Sequence, residues 1–166
     1  MPIWGNINIY ITSYLRAADP TVSMESTYVI FPITITVGAI FMLLGSYMIE
    51  KSNPRFQMLL GGSCIVIPLF LCSMITNFYL FVGLYSVVIG MGFGILYMLS
   101  VRNAWQFFPS KKGMISGLIM SCYSVAAVFW LLITKEIANP NNVKPTDVFV
   151  VGDKTEYFYS PDSEVV

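Results

Sequence analysis

Four long runs of apolar residues, separated by short polar segments, dominate the pattern of this 166-residue chain. The runs cover residues 28–49, 58–75, 78–101 and 114–134, and none of them contains a charged residue. A helix of about 20 apolar residues crosses the ~30 Å hydrocarbon core of a bilayer and satisfies its own backbone hydrogen bonds there. The pattern therefore predicts an all-α membrane protein with four complete transmembrane helices.

A fifth apolar stretch, residues 2–15, is too short to cross a bilayer. As a helix it would cover about 21 Å at 1.5 Å per residue. No basic segment precedes it, so it is not typical of a signal peptide. We expect residues 2–15 to be the second half of a helix, and residues 1–134 to form one transmembrane bundle.

The C-terminal segment, residues 135–166, has a different composition from the rest of the chain. It carries six acidic residues and three lysines, and Asn139-Pro140-Asn141-Asn142 is a turn-forming cluster within it. The apolar positions 148–151 are too few for another span. We expect this segment to be an irregular, polar and acidic loop or tail.

Lysine and arginine are distributed unevenly between the segments that flank the spans. Segments 50–57 and 102–113 carry Lys51, Arg55, Arg102, Lys111 and Lys112. Short loops rich in lysine and arginine face the cytosol in membrane proteins. The sequence therefore predicts a multi-pass protein with these two loops in the cytosol and residues 135–166 on the opposite side.

The composition narrows the class of function. Only 11% of the residues are charged, against about 25% in a typical soluble domain. Nine basic and nine acidic residues cancel, which gives no electrostatic basis for binding nucleic acid. Histidine is absent and the three cysteines lack metal-ligand spacing, so no metal or cofactor is predicted. No acid lies inside a run, so enzyme function is not predicted either.

Two stripes of small residues follow the helical repeat. Gly90 and Gly94 lie four residues apart in the third run, and Gly113 and Gly117 repeat that spacing at the start of the fourth. Small residues allow two membrane helices to approach closely. Helix packing is the simpler interpretation of both stripes. The first stripe could also line a path with Tyr97, and the second could form a dimer interface.

Charged residues at the ends of the spans also admit two interpretations. The segment 45–55 runs from Gly45 through Glu50 and Lys51 to Arg55, and an ordinary charged membrane loop is the simpler interpretation of its spacing. Arg102 follows the third run directly. An arginine at the end of a membrane helix usually extends to the interface, and the alternative is contact with an anion in a cavity.

Taken together, these motifs resemble the major facilitator superfamily, in its oxalate:formate antiporter and monocarboxylate transporter branch. The segment 45–55 is similar to the superfamily loop G-G-x-L-x-D-R-x-G-P-R, with Glu50 and Lys51 in place of Asp and Arg. The segment 90–97 resembles the fourth helix of that branch, and 107–117 resembles its loop W-F-P-x-K-R-G-x-x-x-G. The segment 4–14 resembles the second half of the first helix.

The resemblance implies a secondary transporter that works by alternating access, plausible substrates being monocarboxylates or dicarboxylates. Such a carrier has twelve helices in two halves, and this chain would supply half of helix 1 and helices 2–5. On that basis Gly45, Glu50, Lys51 and Arg55 belong to the cytosolic gate. Asn6, Tyr10, Tyr97 and Arg102 are the candidates for lining the cavity.

The expected partners follow from the same resemblance. They are the lipid bilayer, a small anionic or other solute, and a second half of the carrier, without which we expect no transport. A multi-span scaffold or complex subunit that binds no substrate is the alternative.

Overall fold

The computed structural model describes residues 4–151 and 154–159. Its α-helices are α1 (Trp4–Ala18), α2 (Met24–Tyr28), α3 (Ile30–Lys51), α4 (Pro54–Cys72), α5 (Phe78–Val82), α6 (Ile89–Phe107) and α7 (Lys112–Ala138). A π-helical turn, Gly83–Val88, joins α5 to α6, and a 3-10 turn, Pro109–Lys111, precedes α7. Two strands, β1 (Asp147–Val151) and β2 (Lys154–Phe158), follow.

Four helical segments are long and apolar enough to cross a membrane in the part of the chain that the structure describes. They are Met24–Lys51, Pro54–Cys72, Phe78–Phe107 and Pro109–Ala138. The prediction of an all-α membrane protein with four spans is therefore confirmed. The helices extend beyond most of the predicted runs because polar residues at the interface continue a helix that apolar residues begin. Helix α1 has 15 residues, too few to cross a bilayer.

The described residues divide into two compact units. The first comprises residues 4–29, 76–78, 122–151 and 154–159, and the second comprises residues 30–75 and 79–121. In the second unit, α6 packs against both α3 and α4. An ideal Cβ on Gly90 would lie 2.9 Å from the carbonyl oxygen of Thr34, and one on Gly92 would lie 2.7 Å from that of Gly61. The absence of side chains at these positions is what allows three helices to meet so closely.

The π-helical turn at Gly83–Val88 lies beside α3 in the same unit. The fully buried Ser86 hydroxyl donates a hydrogen bond of 3.3 Å to the carbonyl oxygen of Ile30. This bond satisfies a polar side chain that would otherwise be costly to bury. Turns of this kind are often found at functional sites, and the hydrophobic pattern gave no sign of this one.

In the first unit, the hairpin of β1 and β2 contacts α1 and α2. The backbone N–H of Tyr159 donates to the Ser13 hydroxyl at 3.1 Å, and the Arg16 guanidinium lies 4.6 Å from the centre of the Phe158 ring. The carboxylate of Glu156 accepts a hydrogen bond of 3.1 Å from the backbone N–H of Met24. These contacts fix the hairpin against the helices.

The expectation of an irregular segment over residues 135–166 is wrong for the described part of it. Helix α7 continues to Ala138, and the turn that follows holds Asn142 in a left-handed conformation with a φ of 49°. The strands then pair antiparallel, from Asp147 opposite Phe158 to Val151 opposite Lys154. Valine and aromatic residues favour paired strands, and this preference outweighed the polar composition.

Candidate functional site

An ion pair joins the ends of α3 and α6. The Nη2 atom of Arg102 lies 3.0 Å from the Oε1 atom of Glu50, and Nη1 donates to the carbonyl oxygen of Ser46 at 2.9 Å. The Arg102 side chain is 29% exposed and that of Glu50 is 63% exposed. One guanidinium therefore holds two acceptors on α3, which a lysine could not do with the same planar geometry.

The first turn of α7 lies close to the same pair. Ile49, Glu50, Arg102, Trp105 and Lys112 contribute to the wall of a cavity of about 430 Å³. The indole N–H of Trp105 donates to the Lys112 carbonyl oxygen at 3.2 Å and to the Ser116 hydroxyl at 3.0 Å. The Lys112 ammonium lies 5.8 Å from the centre of the Trp105 ring. We call Glu50, Arg102, Trp105 and Lys112 the helix-end cluster.

Not all members of the predicted gating motif meet in this cluster. Lys51 donates instead to the hydroxyl of Tyr47, one turn earlier on α3, and lies 4.5 Å from the centre of that ring. Arg55 is exposed at the start of α4 and forms no ion pair within the described residues. Gly45 lies on the packed face of α3, where an ideal Cβ would be 3.2 Å from the Cα atom of Ile95. Of the four predicted gating residues, Glu50 therefore contacts Arg102, which was predicted to line the cavity.

The two glycine stripes have different surroundings. Gly90 and Gly94 lie against α3, and an ideal Cβ on Gly94 would collide with the carbonyl oxygen of Gly38 and lie 2.9 Å from the backbone nitrogen of Met42. An ideal Cβ on Gly113 or Gly117 would have no described atom within 4 Å. Packing or dimer formation through the second stripe stays a prediction.

The remaining cavity-lining candidates lie on α1 and α6. Tyr97 is half-buried and stacks on Phe93, with 6.1 Å between ring centres. Tyr10 stacks on Tyr159, with 5.3 Å between ring centres, and contributes to the wall of a cavity of about 380 Å³ in the first unit. Asn6 lies on α1, but its side chain is outside the described part of the structure.

Two buried amide side chains were missed in the sequence. Asn8 on α1 is 1% exposed and Gln57 on α4 is fully buried. Neither amide group has a hydrogen-bond partner among the described residues. Each is a polar residue within or beside an apolar run, and this was the signal available in the sequence. Burying an amide group without a hydrogen-bond partner has an unfavourable desolvation free energy.

The described residues contain no group of three or more histidine, cysteine or acidic side chains placed to hold a metal ion. The residues of the helix-end cluster interact through an ion pair, hydrogen bonds and a cation–π contact. Such a group can hold helix ends together and release them again.

Comparison with known proteins gives three informative relatives. The chain is 22% identical to apicoplast pyruvate carrier 1 of Toxoplasma gondii over 94% of its own length and 35% of the carrier. It is 24% identical to the oxalate:formate antiporter of Oxalobacter formigenes over 74% of its length and 29% of the antiporter. It is 30% identical to monocarboxylate transporter 9 of Rattus norvegicus over 54% of its length and 18% of the transporter.

The chain thus spans about a third of the length of the first two relatives. No family model matches it, and no solved structure matches it. All three relatives are named as a carrier, an antiporter or a transporter of small organic acids.

Proposed function

We propose that this chain, whose motifs resemble those of the major facilitator superfamily, serves in the secondary transport of small mono- or dicarboxylates by alternating access. The observation that carries the proposal is the shared solute class of its relatives, whose names specify pyruvate, oxalate, formate or monocarboxylates. The four apolar helices support the membrane setting.

The helix-end cluster suits a gate that opens when water replaces the partners of its ion pair. Arg102 and Glu50 are both partly exposed, so water can replace each partner at modest cost. A cavity of about 430 Å³ beside the pair gives the side chains room to move. In this proposal the cluster holds the ends of α3, α6 and α7 together in one state of the carrier and separates in the other.

The proposal includes an orientation and a partner. Segments 50–57 and 102–113 face the cytosol and the hairpin faces the opposite side. A second set of helices completes the carrier, because a pyruvate carrier related to this chain is about three times as long.

Uptake of labelled pyruvate, oxalate and formate into proteoliposomes tests the transport function. The product of the complete transcript should accumulate at least one of them above protein-free vesicles, with acceleration by unlabelled carboxylate on the far side. Vesicles bearing only the 166 residues should not. Uptake by the 166-residue chain alone would contradict the need for a second set of helices.

Failure of the complete product to move or bind any carboxylate, with stable co-purification of a fixed protein partner, would instead favour the scaffold. Labelling of sealed vesicles with a membrane-impermeant amine reagent tests the orientation independently. Lys111 and Lys144 should react from opposite faces, and reaction of both from one face would contradict it.

A further inference from the structure

A second cavity lies in the first unit, between α1 and the last turns of α7. It has a volume of about 380 Å³, and its wall includes Ile7, Ile9, Tyr10, Leu131, Thr134 and Lys135. The apolar side chains form most of the wall, and the polar groups are few. A pocket of this size and composition suits a small organic ligand that has one polar end.

The charge in this wall comes from Lys135. Its side chain is exposed, and it forms no ion pair in the part of the chain that the structure describes. The Thr134 hydroxyl donates its proton to the Trp130 carbonyl oxygen at 2.7 Å, so it offers a ligand no donor. The Lys135 ammonium provides three hydrogen-bond donors and a positive charge. The polar end of a ligand that binds here is therefore anionic.

Tyr10 supplies a second donor through a short chain of hydrogen bonds. The Nδ2 atom of the buried Asn139 donates to the Tyr159 hydroxyl at 3.3 Å. Burial is the main cause that raises the pKa of Tyr159, and the hydrogen bond between Tyr159 and Tyr10 raises it further. The Tyr10 hydroxyl belongs to the cavity wall and, as a phenol, can donate its proton to a ligand when it accepts a hydrogen bond from Tyr159.

We infer that this cavity is a binding site for a small carboxylate, with the Lys135 ammonium as counter-ion and the Tyr10 hydroxyl as a second donor. The inference rests on the proposed transport function for its choice of carboxylate over other anions. It places a binding site on α1 and the last turns of α7, whereas the helix-end cluster belongs to the second unit.

The carboxylate of Glu156 is bonded to a residue of this cavity wall. It accepts a hydrogen bond from the backbone N–H of Met24, which is another residue of the cavity wall. Lys135 is the only charged residue among those that line the cavity in the described part of the chain, so the electrostatic attraction of an anionic ligand to this wall depends on it. A neutral substitution of Lys135 should therefore remove most of the affinity.

Protection from chemical labelling tests the site directly. The full chain in nanodiscs is treated with an amine-reactive reagent with and without pyruvate or oxalate, and each lysine is quantified by mass spectrometry. Both carboxylates should slow the labelling of Lys135 and leave Lys144, an exposed lysine of the tail, unchanged. Equal effects on both lysines, or no effect on either, would overturn the inference.

Affinity measurements with variants provide the second arm. Lys135→Gln should weaken carboxylate binding by about tenfold or more, because a charge-assisted bond is lost. Lys135→Arg should stay close to the wild type, and Tyr10→Phe should weaken binding by about threefold to tenfold. Lys144→Gln is the matched control and should change nothing. If Lys135 serves only as an interfacial anchor, Lys135→Gln will lower thermal stability and leave affinity unchanged, and the inference is wrong.

The two proposals fail separately. Uptake by the complete product without protection of Lys135 would retain transport and reject this site. Protection of Lys135 without uptake would retain the site and reject transport.

Discussion

Arg102 and Glu50 lie 52 residues apart in the chain, and their side chains meet at 3.0 Å between the ends of α6 and α3. The second guanidinium nitrogen of Arg102 reaches the carbonyl oxygen of Ser46 on the same helix. Both bonds therefore connect α6 to the last turns of α3. Arg102→Gln and Glu50→Gln, which each break the ion pair, should lower the free energy of unfolding by different amounts.

Arg102→Gln should destabilise the protein more than Glu50→Gln. Loss of a partly exposed ion pair costs about 0.5 kcal/mol, and Arg102→Gln also removes the bond to Ser46, which adds about 1 kcal/mol. Unfolding in mixed detergent micelles, followed by circular dichroism, gives these free energies. Arg55→Gln, at an exposed position without an ion pair, is the control and should be neutral. Equal losses for Arg55→Gln and Arg102→Gln would show that the pair has no structural role.

Gly94→Ala should destabilise the second unit by about 1–3 kcal/mol, because a methyl group there would collide with the backbone of α3. Gly62→Ala, in α4, is the matched control, since an ideal Cβ at Gly62 meets no described atom within 4 Å. Alanine is the better helix former, so Gly62→Ala should be neutral or stabilising. Thermal unfolding of the two variants measures the difference. A Gly94→Ala protein as stable as Gly62→Ala would mean that α3 and α6 can separate without cost.

The spans and the fold class could be predicted from the sequence, because an uncharged run of about 20 residues has few alternatives to a membrane helix. The partner of Glu50 could not, since it depends on how α3 crosses α6. Lys51, the neighbour of Glu50 in the chain, contacts Tyr47 on its own helix.

The hairpin was missed for a different reason. The composition of residues 135–166 is polar, and that property outweighed the short runs of valine and aromatic residues on either side of Gly152-Asp153. A two-residue spacer of this type between such runs is a hairpin signal. The placement of Tyr159 beside Tyr10 followed from the hairpin and so was missed with it.

Gln57→Leu should leave the protein as stable as the wild type or stabilise it by up to about 1 kcal/mol. The amide of Gln57 is fully buried without a hydrogen-bond partner among the described residues, and an apolar side chain of similar size removes that desolvation cost. Gln106→Leu, on the less buried end of α6, is the control and should not stabilise. Chemical unfolding of both variants checks this. A loss above about 1 kcal/mol for Gln57→Leu would indicate a binding partner for the amide.

Raising the pH above 10 should loosen the hairpin. Burial, the largest cause, and the hydrogen bond to Tyr10 both raise the pKa of Tyr159 above its ordinary value of about 10, while the bond from Asn139 lowers it. The folded state therefore favours the neutral phenol. This contribution to stability is complete below pH 10 and is lost as the pH rises through the pKa of Tyr159 in the folded protein.

Carbon-13 NMR of labelled tyrosine, with the Tyr159 signal assigned from a Tyr159→Phe variant, measures this pKa. Tyr10→Phe should bring the pKa of Tyr159 closer to its ordinary value, because one of the groups that raise it is removed. Asn139→Ala should move it the other way, provided that the hairpin stays docked. A Tyr159 signal that titrates near pH 10 in the wild type and does not change in Tyr10→Phe would mean that the ring is solvated, and that the hydrogen-bond chain from Asn139 to Tyr10 does not form.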